Sequence, residues 1–500
     1  MTRSASPAPA EHTLKREFSL WSSFTFAFAF ISPIVALYGI FALAISTAGP
    51  SFWWAFPIVF AGQLLVALVF AMLVSRWPLE GSIYQWSRRL LGTGYGWFAG
   101  WAYMWTLVIA MATVALGAAG FIADVVGFQG ATATQKALIA FVILLGGTAL
   151  NLIGRTALKA FMTGSIIAEV VGSVGLGTWL LLFHRNNPLS VLTTGSGPGG
   201  PGGYLSLSGP FLVAIAFVGF SFVGFESAGA IAEEVHEPRR NLPKAVVFSL
   251  TFIALVVMYA SLSIILAIPD LPAVASGKET DPVTSTLRSQ LGSGIAKPVE
   301  LLFVVGFTAS FLALQTSASR VIWSYARDRA FPASRALARL SRGQRVPVVA
   351  LAVTTVIGAA LFLLSNLASD VYTLMVNFSA GGFFFGFLFP LIGALVVQLR
   401  GSWRAGVFSL GGATVPVTGV ATVWVVFQFL NIAWPRQVYP QGYLNWSVFI
   451  TIAVLAVVGG AIYASVRQGI VPASVVEEEE AADEAGDAAG AGGGAAVYGR

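Results

Sequence analysis

The chain has 500 residues, of which 56% are hydrophobic and only 10% charged, and its mean hydropathy is +0.80. A soluble protein of this length carries roughly 25% charged residues, so the composition excludes a water-soluble fold and points to a polytopic membrane protein. The net charge of +6 is small for the length, and the lack of cysteine excludes disulfides and thiolate metal sites.

Residues 1–18 are polar, without an apolar core or a small-residue cleavage site, and read as an N-terminal tail, leaving the first apolar helix as the targeting signal. Apolar windows of ~20 residues predict twelve spans, near 22–46, 52–75, 96–122, 136–154, 160–184, 210–232, 245–268, 299–325, 347–366, 371–397, 411–432 and 444–466. Of the 28 Lys and Arg, this topology puts six outside (Lys136, Arg185, Lys278, Arg288, Lys297 and Arg436) and the other 22 inside, if the N-terminus is cytoplasmic. That asymmetry predicts a multi-pass protein of the cytoplasmic (plasma) membrane with both termini in the cytoplasm. The basic balance is thus explained by topology and is no sign of nucleic-acid binding.

In span 1, FAFISPIVALYGIFAL places Ser32 and Pro33 mid-helix, followed by Gly39. Proline removes a backbone donor and clashes with the preceding turn. Span 5 carries Glu169. A Gly/Pro/Ser-rich external loop follows at 186–208, and then span 6, FLVAIAFVGFSFVGFESAGAIA, is broken by Gly219 and Gly224 around Ser221 and carries Glu226. Freed backbone groups in hydrocarbon need protein or water partners, so such breaks line cavities. A second, more polar external loop covers 269–297, and a strongly basic connection, RDRAFPASRALARLSRGQR, joins spans 8 and 9. The chain ends in an acidic, Ala/Gly-rich stretch, so 469–500 is expected to be a disordered tail after a transporter domain at 19–468. Breaks in spans 1 and 6, five spans apart, predict an inverted repeat of five plus five helices, about 22–184 and 210–397, with extra helices at about 411–466.

Glu169 and Glu226 are the two ionisable residues well inside predicted spans, where a charge costs roughly 2.5–3.5 kcal/mol on insertion scales. Either would face the bundle interior, as a group that gains and loses a proton or as an anchor; Glu169 suits the first role and Glu226 the second. Free N–H and C=O groups at the two breaks suit a solute bearing both charges, such as an amino acid. Ser32, Ile34, Val35 and Ala36 would then face Ser221 to Gly224, with Phe220 as an aromatic gate. In span 8, Thr308, Ser310 and Gln315 are candidates for a sodium site or for ordinary helix packing. No P-loop, paired catalytic carboxylate or His/Asp metal cluster is evident, so neither an ATP-driven pump nor an enzyme is expected. No buried Lys or Arg is apparent to receive a side-chain carboxylate, which disfavours dicarboxylic amino acids.

Three stretches, GFESAGAIAEEVHEPRRNLPKA (224–245), GSIYQWSRRLLG with GWFAGW (81–101), and ASRVIWSYARDRAFPAS (318–334) with RVPVVAL, carry a resemblance. The chain resembles the amino acid–polyamine–organocation permeases, most of all the amino acid/choline transporter branch, which includes 4-aminobutyrate and choline permeases. The resemblance implies an all-α inverted-repeat fold and secondary active transport, with no cofactor beyond a coupling H+ or Na+. It puts Phe220 at the aromatic gate, Ser221 and Gly224 in the unwound stretch, Glu226 in a Gly-x-Glu pair, and Glu169 where relatives place a coupling residue on helix 5. Related permeases carry a Gly-Ser-Gly-like turn in helix 1, where this chain reads SPIVALYG. The expected function is import of an amino acid or small amine driven by a proton or sodium gradient. An amine exchanger of the same fold and, from another class, a non-transporting solute sensor are the alternatives.

Overall fold

The structure is a computed structural model that describes residues 14, 16–128, 130–194, 203–206, 209–279, 281–436 and 439–472. The predicted C-terminal tail beyond 472 and most of the N-terminal tail lie outside the described residues. Twelve helices are long and apolar enough to cross a membrane: Leu20–Tyr38, Pro50–Arg76, Thr93–Val125, Ala133–Ile153, Arg155–Phe183, Pro210–Glu234, Pro238–Ala267, Gly294–Arg327, Val348–Leu367, Asp370–Leu399, Gly411–Ala433 and Ser447–Val466. These are spans 1 to 12 below, and the chain is an all-α polytopic membrane protein.

Burial is uneven, and the sequence patterns explain it. Spans 1, 3, 6 and 8 are the most enclosed, and they carry the small and polar residues that allow close approach: Ser32, Gly100, Ser221, Gly224, Ser310 and Ser317. Spans 4, 5, 9 and 12 are mostly exposed and show lipid-compatible side chains such as Val142, Ile167, Val356, Leu363 and Val457. Span 1 packs between spans 7 and 8 and meets span 6 at mid-depth.

Several predicted boundaries shift. The stretch read as one span to residue 46 is three helices, Leu20–Ile31, Pro33–Tyr38 and Phe41–Ala48, with the first separation at Ser32 (φ +49°). The connection after span 2 contains a buried helix, Ile83–Leu91, packed under span 3. The polar loop at 269–297 is largely helical: Leu271–Ala275 precedes a helix from Pro282 that bends at Gly292 (φ +72°) into span 8. Polar residues there mislead because they cap helices, as Asp270 does for the Ala273 amide at 3.0 Å and Asp281 for Thr284 at 3.1 Å.

Candidate functional site

The break in span 1 is a single residue. Ser32 leaves the helical region, its Oγ accepts from the Val35 amide at 3.3 Å, and the helix resumes at Pro33, which needs no donor there. The same Oγ donates to Glu169 Oε2 at 2.7 Å, tying span 5 to the break. Glu169 is fully buried and Oε1 has no well-formed hydrogen bond, although the Ile34 amide also interacts with the carboxyl.

In span 6 the α-helix Pro210–Gly219 tightens into a 3₁₀ turn over Phe220–Phe222, Val223 is extended, and Gly224 is left-handed at φ +105°. Only glycine fits: a Cβ on Gly224 would lie 2.2 Å from Phe30 Cδ1. The freed groups find protein partners, as hydrocarbon requires. The Gly224 amide donates to Glu226 Oε2 at 2.9 Å, and Tyr103 of span 3 donates to Glu226 Oε1 at 3.0 Å. Gln63 Nε2 of span 2 donates to the Phe222 carbonyl at 3.1 Å, and Ser221 Oγ to the Ala36 carbonyl of span 1 at 2.9 Å.

Between the two breaks lies a cavity of about 20 Å³, lined by Phe30, Ile31, Val35, Ala110, Val114, Phe220, Val223, Ser310, Leu314 and Phe383. That holds about one water molecule, so a larger solute must displace the aromatic rings. Of the predicted contacts, Val35, Phe220 and Ser310 reach the cavity wall. Ser32 and Ser221 face the breaks themselves, while Gly224 shapes the turn.

Ile34 and Ala36, expected to face Ser221 to Gly224, lie within the helix Pro33–Tyr38 and off the cavity wall, and Ala36 meets Ser221 through its carbonyl. Thr308 and Ser310 lie two apart on one helix and so point about 200° apart. Ser310 donates to the Phe30 carbonyl at 2.8 Å, whereas Thr308 bonds its own helix at Val304. Gln315 faces span 4, contacting Asn151 at 3.1 Å and Thr148 at 2.8 Å. The bundle also buries three arginines, Arg88, Arg155 and Arg320, which reasoning from span centres alone missed.

These arginines form a charged layer at the end of the bundle that carries the 76–93 connection. Glu234 is shared by Arg155 and by Arg320, the latter at 3.0 Å. Arg88 pairs with Asp328, and Arg327 grips both oxygens of Glu233 at 2.7 and 2.8 Å. Backbone segments from both chain ends dock here: the amides of Glu17 and Phe18 donate to the Glu234 carbonyl at 2.8 and 2.9 Å, and the Val471 amide to the Asp328 carbonyl at 3.0 Å. Gln63 and Tyr103, polar residues inside apolar spans, are the signals by which a sequence reading could have found the partners of the span-6 break. Phe383, Ala110 and Val114 carry none, because nothing local distinguishes a cavity-facing apolar residue from a lipid-facing one.

A twelve-span bundle whose first and sixth spans break around a common small cavity, with a closed charged layer at one end, is the architecture of a solute transporter. Residues 18–458 match the family described as Amino acid permease, and the chain belongs to that family, within the amino acid–polyamine–organocation superfamily. It is 26% identical to the branched-chain amino acid permease BcaP of Bacillus subtilis, over 85% of this chain and 90% of the relative. It is 24% identical to the amino-acid permease BAT1 homolog of Oryza sativa (82% and 83% covered), and 27% identical to the mitochondrial cationic amino acid transporter 3 of Arabidopsis thaliana (57% and 47% covered). The protein is an amino acid transporter and not an enzyme.

Proposed function

We propose that this chain imports a neutral amino acid with an apolar side chain across the cytoplasmic membrane, driven by the proton gradient, with both termini in the cytoplasm. The observation that carries this reading is the cavity wall, on which Ser310 is the one polar side chain among ten residues. Both mid-membrane carboxyls are off that wall and held by Ser32, Tyr103 and the Gly224 amide, so neither is placed to receive a cationic side chain. The name of the Bacillus subtilis relative, a branched-chain permease, favours the same class.

Glu169 is the proton carrier in this reading. It bridges spans 1 and 5 at the break itself, and one oxygen lacks a well-formed partner. The spread of Thr308, Ser310 and Gln315 over different faces supports a proton over sodium. We read the paired breaks as the centres of two five-helix halves that rock around the cavity.

Uptake into proteoliposomes tests this with labelled leucine, isoleucine, phenylalanine, lysine, glutamate, 4-aminobutyrate, choline and putrescine, under a proton gradient, a sodium gradient or neither. Accumulation of leucine, isoleucine or phenylalanine under the proton gradient alone is the expected result. Accumulation of lysine, choline or putrescine in their place would overturn the substrate class. Uptake that needs preloaded amine and no gradient would replace import by exchange.

A further inference from the structure

One carboxyl in the charged layer has no partner among the described residues. Glu80 lies in the turn between span 2 and the helix Ile83–Leu91, is 0% exposed, and neither of its carboxyl oxygens has a hydrogen-bond partner among the described residues. Its backbone is pinned: the amide donates to Glu233 Oε1 at 3.1 Å and the carbonyl accepts from Ser324 Oγ at 2.8 Å. Every neighbouring element brings charge. Span 6 contributes Glu233 and Glu234, span 8 contributes Arg320 and Arg327, span 5 contributes Arg155, and the short helix contributes Arg88 beside Asp328. The arginines are engaged with Glu234, Glu233 and Asp328, while Lys159 donates to the Glu17 carbonyl at 3.0 Å.

An ionised Glu80 would therefore be dry, without a donor, and beside two other carboxyls. Burial, then Glu234 and Glu233, hold its carboxyl well above the usual carboxylate range, against the pull of Arg320 and Arg327.

We propose that Glu80 is a proton-binding site of the inner gate, holding its proton while the turn is packed against spans 6 and 8 and releasing it to cytoplasmic water when that packing parts. On release the carboxyl O–H bond breaks, the proton passes to water, and the carboxylate is left hydrated. The closed gate binds the proton more tightly than the open one, so low cytoplasmic pH favours closure. Raising the pH through the closed-state value favours opening. The proposal rests on the orientation and transport reading above, but its test needs no substrate.

The chain has no cysteine, so Ser227→Cys adds a single thiol at a buried position three residues beyond the Gly224 break. In inside-out vesicles, labelling by an impermeant maleimide would be followed from about pH 5.5 to about pH 8.5, normalised to an exposed Ser402→Cys control. We expect the normalised rate to rise with pH, by up to about tenfold per pH unit for one linked proton, and to stay low and flat when Glu80→Gln is added. A flat profile without that change, or an unchanged slope with it, would overturn the proposal. Should the Gln variant not assemble, Glu80→Met decides: a neutral, unpartnered carboxyl is replaceable by an apolar side chain, so this variant should assemble and be flat. A retained slope, or failure of both variants to assemble, would mean that Glu80 is ionised and paired, against the proposal. A failed uptake assay leaves the labelling result standing, so the two readings fail separately.

Discussion

The middle of the bundle and its charged end both bury ionisable groups, and they do so in opposite ways. At mid-depth, Glu169 and Glu226 are each held by hydroxyls and amides, with no cation among the described residues against them. At the charged end, Glu234, Glu233 and Asp328 are each met by guanidinium groups. A lone carboxyl responds to one proton, because its neighbours are neutral dipoles that tolerate both states. A carboxylate shared by two arginines is locked, because protonating it strands two cations. The first arrangement suits a site that must load and unload, and the second suits a latch that is either made or broken as a whole. Glu80 is the exception at that end, a carboxyl inside the latch with no partner among the described residues.

The sharpest way to break this contrast is Glu234→Gln. It leaves Arg155 and Arg320 buried without their shared partner, and removal of one member of a buried ion pair costs about 3–5 kcal/mol. The expected outcome is a large fall in thermal unfolding temperature in detergent, with poor membrane yield. An unchanged melting curve would mean that the layer is not a latch.

A smaller effect separates two hydroxyls on one helix. Ser310→Ala removes the bond to the Phe30 carbonyl across the helix-1 break and should lower stability by about 1 kcal/mol, with weaker substrate affinity. Thr308→Ala removes only a bond to its own helix and should stay within about 0.5 kcal/mol. Equal effects on sodium-dependent uptake would instead restore a cation site built from both.

Sequence reasoning reached the spans, the two breaks and both lone carboxyls because each is a local signal: an apolar window, a Pro or Gly within it, a charge where none is tolerated. Ser32 was legible as a break, but its bond to Glu169 joins residues 137 positions apart and has no local trace. Ile34 and Ala36 were legible as neighbours of the break, but one serine cap restarts the helix at Pro33 and keeps both off the cavity wall. The latch was invisible for a different reason. Arg155, Arg320 and Glu234 lie at span ends, where a sequence reading assumes contact with water, and only the packing of spans 5, 6 and 8 brings them together.

The most direct test of the account is substrate-driven proton movement. Proteoliposomes loaded with a pH-sensitive dye would receive external leucine or lysine, with the wild-type chain or Glu169→Gln, in sodium-free buffer. The account predicts that leucine acidifies the lumen with the wild type, that lysine does not, and that Glu169→Gln abolishes the signal while leucine binding persists. Leucine entry without acidification, or full acidification with Glu169→Gln, would contradict it.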